Sequence, residues 1–206
     1  AGGTSYGFEA AGFDVRLGVD IDPAALTSFS DNHPGAVALQ ASVQDRERVH
    51  GRALLELAGL ESLDVLIGGP SCQGYSTIGK RIEDDPRNKL FIEYIRLVGE
   101  LQPSWLLFEN VKGMMLYSKG RFIKQLESEL EVLGYDVAWS VLNAADYGVP
   151  QRRERLFLVG SRGGVTPSLP RPTHQDPRCS MCSRPDGSNR VRGLKERRMI
   201  DRCPQC

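Results

Sequence analysis

Long apolar runs are missing from this 206-residue chain, and none approaches the length that crosses a bilayer as a helix. The opening residues lack the charged-then-apolar pattern of an export signal. Cysteine is scarce: there are five, and Cys72 alone precedes Cys179. Without an export signal, such thiols are expected to be reduced or metal-bound rather than paired as disulfides. No segment repeats, which excludes a stacked-repeat architecture. The formal net charge is zero, yet that balance hides a division. From Arg171 to Cys206 there are nine Lys or Arg against four Asp or Glu, so the tail is basic and the body before it is equally acidic. A basic tail on an acidic body fits contact with phosphates, and it fits a solvated surface segment as well.

What is present reads as one ordinary globular domain with a small appendage. The pattern alternates helix and strand. Helices are expected over Thr4–Ala11, Pro23–Asn32, Arg46–Leu60, Asn88–Leu101 and Gly120–Leu133, and Gly134 closes the last. Strands are expected at Val15–Val19, Val65–Ile67, Leu106–Leu107, Val137–Leu142 and Leu156–Val159. Strands separated by helices predict an α/β fold with a parallel-type sheet. After Val165 the pattern dissolves into Pro, Arg and Ser, which marks a boundary.

Cys72 is the most informative residue. It follows an apolar strand, two glycines and Pro70, in Asp64-Val-Leu-Ile-Gly-Gly-Pro-Ser-Cys-Gln-Gly. A lone cysteine is ordinarily a buried structural thiol. Here the proline before it and Gln73-Gly74 after it make a tight exposed turn at a strand's carboxyl end, where open α/β sheets build their sites. Two more segments have the same layout. Trp105-Leu-Leu-Phe-Glu-Asn-Val111 is an apolar strand ending in a carboxylate and an amide, and Gly148-Val-Pro-Gln-Arg-Arg-Glu-Arg155 is a basic stretch feeding another strand.

Together with Gly2-Gly-Thr-Ser-Tyr-Gly-Phe8, Asp85-Pro-Arg-Asn-Lys-Leu90 and Leu142-Asn-Ala-Ala-Asp-Tyr-Gly148, these segments resemble, in order, the cytosine-C5 DNA methyltransferase family. The resemblance spans Ala1 to His174. It implies a Rossmann-like, S-adenosylmethionine-dependent methyltransferase sheet over residues 1–170; the small, basic cysteine-rich segment 171–206 is read from its residues alone and falls where the family's target-recognition region begins. The family sheet has a further central strand ahead of Ala1 and continues beyond the last residue here. The expectation is therefore a sheet with its first strand missing, a fragment that is poorly stable and inactive as an isolated polypeptide.

The resemblance also implies the chemistry. Cys72 is the nucleophile that adds to carbon 6 of cytosine, splitting one hard step into easier ones. Glu109 hydrogen-bonds and protonates ring nitrogen 3. Arg155 contacts the exocyclic oxygen, and Arg153, alternating with it along an extended segment, supports the same site. Arg152 points away. Asn110 shapes the loop rather than reacting. S-adenosylmethionine is the implied cofactor, with Gly2, Gly3 and Gly7 at a helix start and Asp20 at a strand end against the ribose. The family acid thought to hold the adenine amine is Ser42 here. Gln73 to Arg81 looks like a mobile loop closing over DNA, with Ser76, Lys80 and Arg81 toward the backbone, because a target base inside a duplex must be flipped out. The implied partner is double-stranded DNA, with no membrane and a monomeric state. The implied location, for a bacterial source, is the cytoplasm.

Cys179-Ser-Met-Cys182 and Cys203-Pro-Gln-Cys206 form two C-x2-C pairs, whose spacing suits a four-cysteine Zn(2+) site. Disulfides and a chance cluster are the alternatives. Three other functions compete with DNA methylation: a tRNA cytosine methyltransferase on the same scaffold, a non-catalytic nucleic-acid-binding relative, and a thiol redox protein. The last leaves every motif outside the tail unexplained.

Overall fold

A computed structural model describes residues 2–70, 90–116 and 121–174. The chain alternates helices and strands as α1 (Gly3–Ala10), β1 (Leu17–Asp20), α2 (Pro23–Asn32), β2 (Val37–Gln40), α3 (Gly51–Ala58), β3 (Val65–Gly68), α4 (Leu90–Leu101), β4 (Trp105–Val111), α5 (Gly113–Leu116), α6 (Arg121–Val132), β5 (Asp136–Asn143) and β6 (Glu154–Ser161). A 3-10 turn, Ala144–Tyr147, joins the last two strands.

Local chemistry explains most of the boundaries. Asp22 caps α2 by accepting the Ala24 amide at 2.9 Å, and Pro23 opens the helix where a missing N–H costs nothing. Gly134, at φ 86°, follows α6 in the left-handed conformation that ends helices. The third helix is shorter than the periodicity from Arg46 predicts. It starts at Gly51, because the His50 ring accepts from the Ala53 amide and caps it there. The stretch before it is held as turns by α4: Arg96 donates to the carbonyls of Val43 and Val49 at 3.1 and 2.9 Å. Burial on its own pushes the buried Glu93 carboxyl up, but Arg46 and Arg96 outweigh it and hold the group below the usual carboxylate range. Strand β2 is not apparent in the sequence pattern; four residues are too few to show a period.

Pairing departs from the expected parallel-type sheet. β1 and β2 pair in parallel as one sheet, and a second sheet has the order β3-β4-β6-β5. There β3 and β4 are parallel, but β6 runs antiparallel to both β4 and β5. The short connection from Asn143 to Glu154 is the reason: it has no room for a crossover helix, so β6 can return only antiparallel. The two sheets share no strand pairing among the described residues. Both lean on one apolar cluster, where Leu17, Val19 and Leu66 pack with Val49, Leu54, Leu97 and Leu101. The main core lies between the larger sheet and α4 and α6, around Phe108, Leu126, Leu130, Leu156 and Leu158.

One contact fixes the first glycine of the Gly68-Gly69 pair. A methyl group at Gly68 would lie 2.3 Å from the Tyr94 ring, and Tyr94 is buried, its hydroxyl donating to the Leu107 carbonyl at 3.1 Å. The ring cannot retreat from the core. Gly68→Ala is expected to cost about 1–3 kcal/mol through overpacking; thermal denaturation measures it, and an unchanged Tm would contradict the close approach. Among the described residues no helix is long and apolar enough to cross a membrane.

Candidate active site

Strand β4 alternates strictly: Leu106, Phe108 and Asn110 are buried, while Leu107, Glu109 and Val111 are half-buried on the other face. Glu109 therefore stands within the strand rather than beyond its end. Strand β6 alternates in the same way, with Arg155 and Phe157 on the half-buried face. The antiparallel register sets Val111 opposite Arg155 and Glu109 opposite Phe157. Glu109 and Arg155 are thus diagonal neighbours on one face. Arg155 Nε lies 3.2 Å from Glu109 Oε1, with the two side chains 25% and 26% exposed. The pair is accessible to a substrate yet partly shielded from water.

The strand that leads to Cys72 passes beside this pair. A methyl group on Gly69 would stand 3.3 Å from Glu109 Oε2, so backbone and carboxylate are nearly in contact. The next residue is pinned as well: Asn110, buried, donates from Nδ2 to the Pro70 carbonyl at 2.8 Å. Asn110 thereby fixes the backbone at Pro70. Cys72, Ser76, Lys80 and Arg81 lie outside the described residues, and so do Cys179, Cys182, Cys203 and Cys206.

Arg153 is not on β6 with Arg155. It precedes the strand; its amide donates to Asn143 Oδ1 at 3.1 Å and its carbonyl accepts from Ala144. Its side chain is exposed, and no bond links it to Glu109 among the described residues. The segment from Pro170 to His174 folds back here. The amides of Thr173 and His174 donate to the Asp146 carbonyl, and the Tyr147 hydroxyl donates to that of Pro170. Lys112, which the sequence pattern does not single out, bonds Glu154 at 2.9 Å and ties the outer ends of β4 and β6.

The residues expected to hold the cofactor lie on α1 and at the carboxyl end of β1. Asp20 is exposed, and its Oδ1 accepts the Asp22 amide at 2.9 Å. Ile21 beside it is 68% exposed, an apolar face next to a carboxylate. Gly2 precedes α1 at φ 70°, in the left-handed region, and provides no side-chain cap for the first-turn amides. Gly3 and Gly7 open onto free space. Uncapped amides at a helix start, a carboxylate for hydroxyl groups and an exposed apolar face fit the carboxylate, ribose and adenine of S-adenosylmethionine. Ser42 accepts the Gln44 amide at 3.2 Å and so serves its own turn. Among the described residues no three His, Cys, Asp or Glu side chains cluster as a metal site.

Residues 1–198 match the family of C-5 cytosine-specific DNA methylases. The chain belongs to that family. Methylase relatives agree at length. A type II methyltransferase, M.XorII from Xanthomonas oryzae, is 47% identical over 178 residues, which cover 84% of this chain and 41% of that protein. M.AquIA, a type II methyltransferase from Picosynechococcus, is 40% identical over 185 residues, covering 84% of this chain and 73% of that protein. The chain thus spans about two fifths of the length of M.XorII, 41%. Among solved structures, a putative DNA modification methyltransferase from an Escherichia coli prophage superposes with a TM-score of 0.66 at 33% identity, covering 77% of this chain and 43% of that one. The Schizosaccharomyces pombe Dnmt2 methyltransferase has a TM-score of 0.61 at 20% identity over 81% of this chain and 48% of that one, a likeness of fold alone. The methylase fold established by these likenesses is the expected S-adenosylmethionine-dependent one.

Proposed function

We propose that the full-length protein is a DNA cytosine-C5 methyltransferase that modifies a flipped-out cytosine in duplex DNA through a covalent adduct with Cys72. The observation that carries this reading is the Glu109–Arg155 pair at 3.2 Å, placed beside Gly69, which in sequence comes just before Pro70-Ser71-Cys72. An acid and a guanidinium paired on adjacent strands, beside a glycine three residues before a cysteine in sequence, match what the reaction demands. The thiolate adds to carbon 6 and its electron pair flows into the ring. Glu109, hydrogen-bonded to nitrogen 3, takes up that charge by donating a proton, while Arg155 orients Glu109 and faces the exocyclic oxygen. Carbon 5 is thereby nucleophilic. Gly2, Gly3, Gly7, Asp20 and Ile21 would hold S-adenosylmethionine, whose sulfonium would supply an electrophilic methyl group to carbon 5 and leave as the thioether S-adenosylhomocysteine. Loss of the carbon-5 proton to solvent, return of the nitrogen-3 proton to Glu109 and expulsion of the Cys72 thiolate restore the aromatic ring. Arg153, exposed at the entrance to β6, supports the site from its margin.

Residues 171–206 are the basic start of the target-recognition region, whose first residues are held on the catalytic domain by the Asp146 carbonyl, and Ser76, Lys80 and Arg81 meet the DNA backbone. A role in restriction–modification or phage DNA modification agrees with the likeness to type II methyltransferases and to the prophage-encoded DNA modification methyltransferase. The deciding experiment offers the full-length protein duplex DNA or tRNA carrying 5-fluorocytosine, together with cofactor. A denaturation-resistant adduct on DNA is the expected result. An adduct on tRNA alone would replace the substrate, and none on either would overturn the mechanism.

The four tail cysteines, with C-x2-C spacing, hold one zinc ion that organises a segment too polar to build a core. Metal analysis should find about one zinc per chain, as four thiolate ligands require. Cys179→Ser and Cys203→Ser should lower that content, whereas unchanged metal would remove the site.

A further inference from the structure

We infer that His33 is a positioning residue for the cofactor: through Ser5 and Glu9 it locks the Gly2–Gly3 turn against the strand that ends in Asp20. The inference rests on the reading of Gly2, Gly3 and Asp20 as cofactor-binding residues.

His33 is 1% exposed and lies just after α2. Its Nδ1 lies 2.9 Å from Glu9 Oε2, and a carboxylate can only accept, so Nδ1 carries a hydrogen. Its Nε2 lies 2.9 Å from Ser5 Oγ. The Ser5 hydroxyl is also 2.9 Å from the Gly2 carbonyl, which accepts the Tyr6 amide at 2.8 Å as well. The glycine turn rests directly on α2: a methyl group at Gly2 would meet His33 Nε2 at 3.3 Å and the Phe29 ring at 3.3 Å. The Phe29 ring, 4.7 Å from the imidazole, fills the space over Gly18, where a methyl group would come within 2.7 Å. Gly18 lies on β1, two residues before Asp20. A continuous path thus runs from the turn facing the methionine carboxylate to the strand carrying the ribose acid.

Apolar packing does not account for this placement. Helix α1 buries none of its own side chains, so hydrophobic contact does little to fix it. The hydrogen bonds of His33 supply the constraint instead, and a buried polar residue with both ring nitrogens engaged specifies one arrangement. The order Ser, His, Glu also resembles a hydrolase triad. Burial argues against that use, because the imidazole has no open path to a leaving group and Ser5 is engaged by its own helix turn. Small displacements of a binding turn are costly when two distant groups must grip one ligand.

The test uses the full-length protein and calorimetric binding of S-adenosylhomocysteine. His33→Ala should raise Kd about tenfold, and Ser5→Ala and Glu9→Gln about threefold each, as expected for loss of buried hydrogen bonds. The His33→Ala/Ser5→Ala double variant should bind no more weakly than His33→Ala, because the two act as one unit. The turnover rate at saturating cofactor should change far less than KM for the cofactor. Leu26→Ala, buried on the same helix, should lower Tm and leave Kd unchanged. If Leu26→Ala weakens binding as much as His33→Ala, the role is only structural and the inference falls. Should His33→Ala fail to fold, the more exposed Ser5 and Glu9 variants decide, and an unchanged Kd in both overturns it. Asp20→Ala separates the levels. Weak binding by Asp20→Ala alongside unaffected His33, Ser5 and Glu9 variants sinks this inference alone. Wild-type binding by Asp20→Ala removes the cofactor site and the inference with it.

Discussion

Replacing Cys72 by serine in the full-length protein is expected to slow methyl transfer on the order of 10⁴-fold or more, the scale of losing a covalent nucleophile. The reason lies in the two things the sulfur must do. A thiol ionises near pH 8.5, about, so a few per cent is thiolate at neutral pH, and an electropositive neighbour raises that share. A serine hydroxyl has no comparable anionic population. It is also the poorer leaving group, so even a rare oxygen adduct would be slow to expel after carbon 5 has reacted. DNA binding should survive, since the substitution removes one atom's chemistry and little surface. Single-turnover transfer of labelled methyl groups, together with loss of the 5-fluorocytosine adduct, measures both effects. Transfer at the parental rate would end the interpretation.

Glu109→Gln should reduce the rate by about 10²- to 10⁴-fold, the span of general acid catalysis. Glutamine can still donate a hydrogen bond to nitrogen 3, but it has no proton to give up as charge builds in the ring. It also loses the charge attraction to Arg155. Two companion variants apportion the loss. Arg155→Lys keeps the charge but not the guanidinium geometry, and Arg155→Ala removes both. If Arg155 acts mainly by holding Glu109 in place, adding Arg155→Ala to Glu109→Gln should cost far less than it does alone. Exchange of the carbon-5 hydrogen with solvent, measured without methyl transfer, reports thiol addition directly. A Glu109→Gln protein that exchanges normally would show that the carboxyl is not the ring's proton donor.

Legibility followed the range of the interactions. The start of α2 was readable because Asp22 and Pro23 act on amides only a residue or two away. The segment Gln-Arg-Arg-Glu-Arg was readable as a site word, but which arginine meets Glu109 was not. Alternation predicts that Arg153 and Arg155 share a face, whereas the strand begins only at Glu154 and brings Arg155 alone to the carboxylate. The expected parallel-type sheet holds for β1–β2 and β3–β4 and departs at β6 for the same cause: periodicity identifies a strand without stating its direction, which the short β5–β6 connection decides. His33 had no signal at all, since its partners Ser5 and Glu9 belong to another helix.

By itself, then, the order of short motifs along the chain determined the family and pointed to Cys72 and Glu109 as the proposed nucleophile and acid, because such chemistry needs particular residues at strand ends and leaves its mark locally. Only the folded chain decided that β6 inserts beside β4 to pair Arg155 with Glu109, and that α2 props the glycine turn through His33. Those contacts join residues far apart in sequence, where close packing rather than local propensity selects the neighbours.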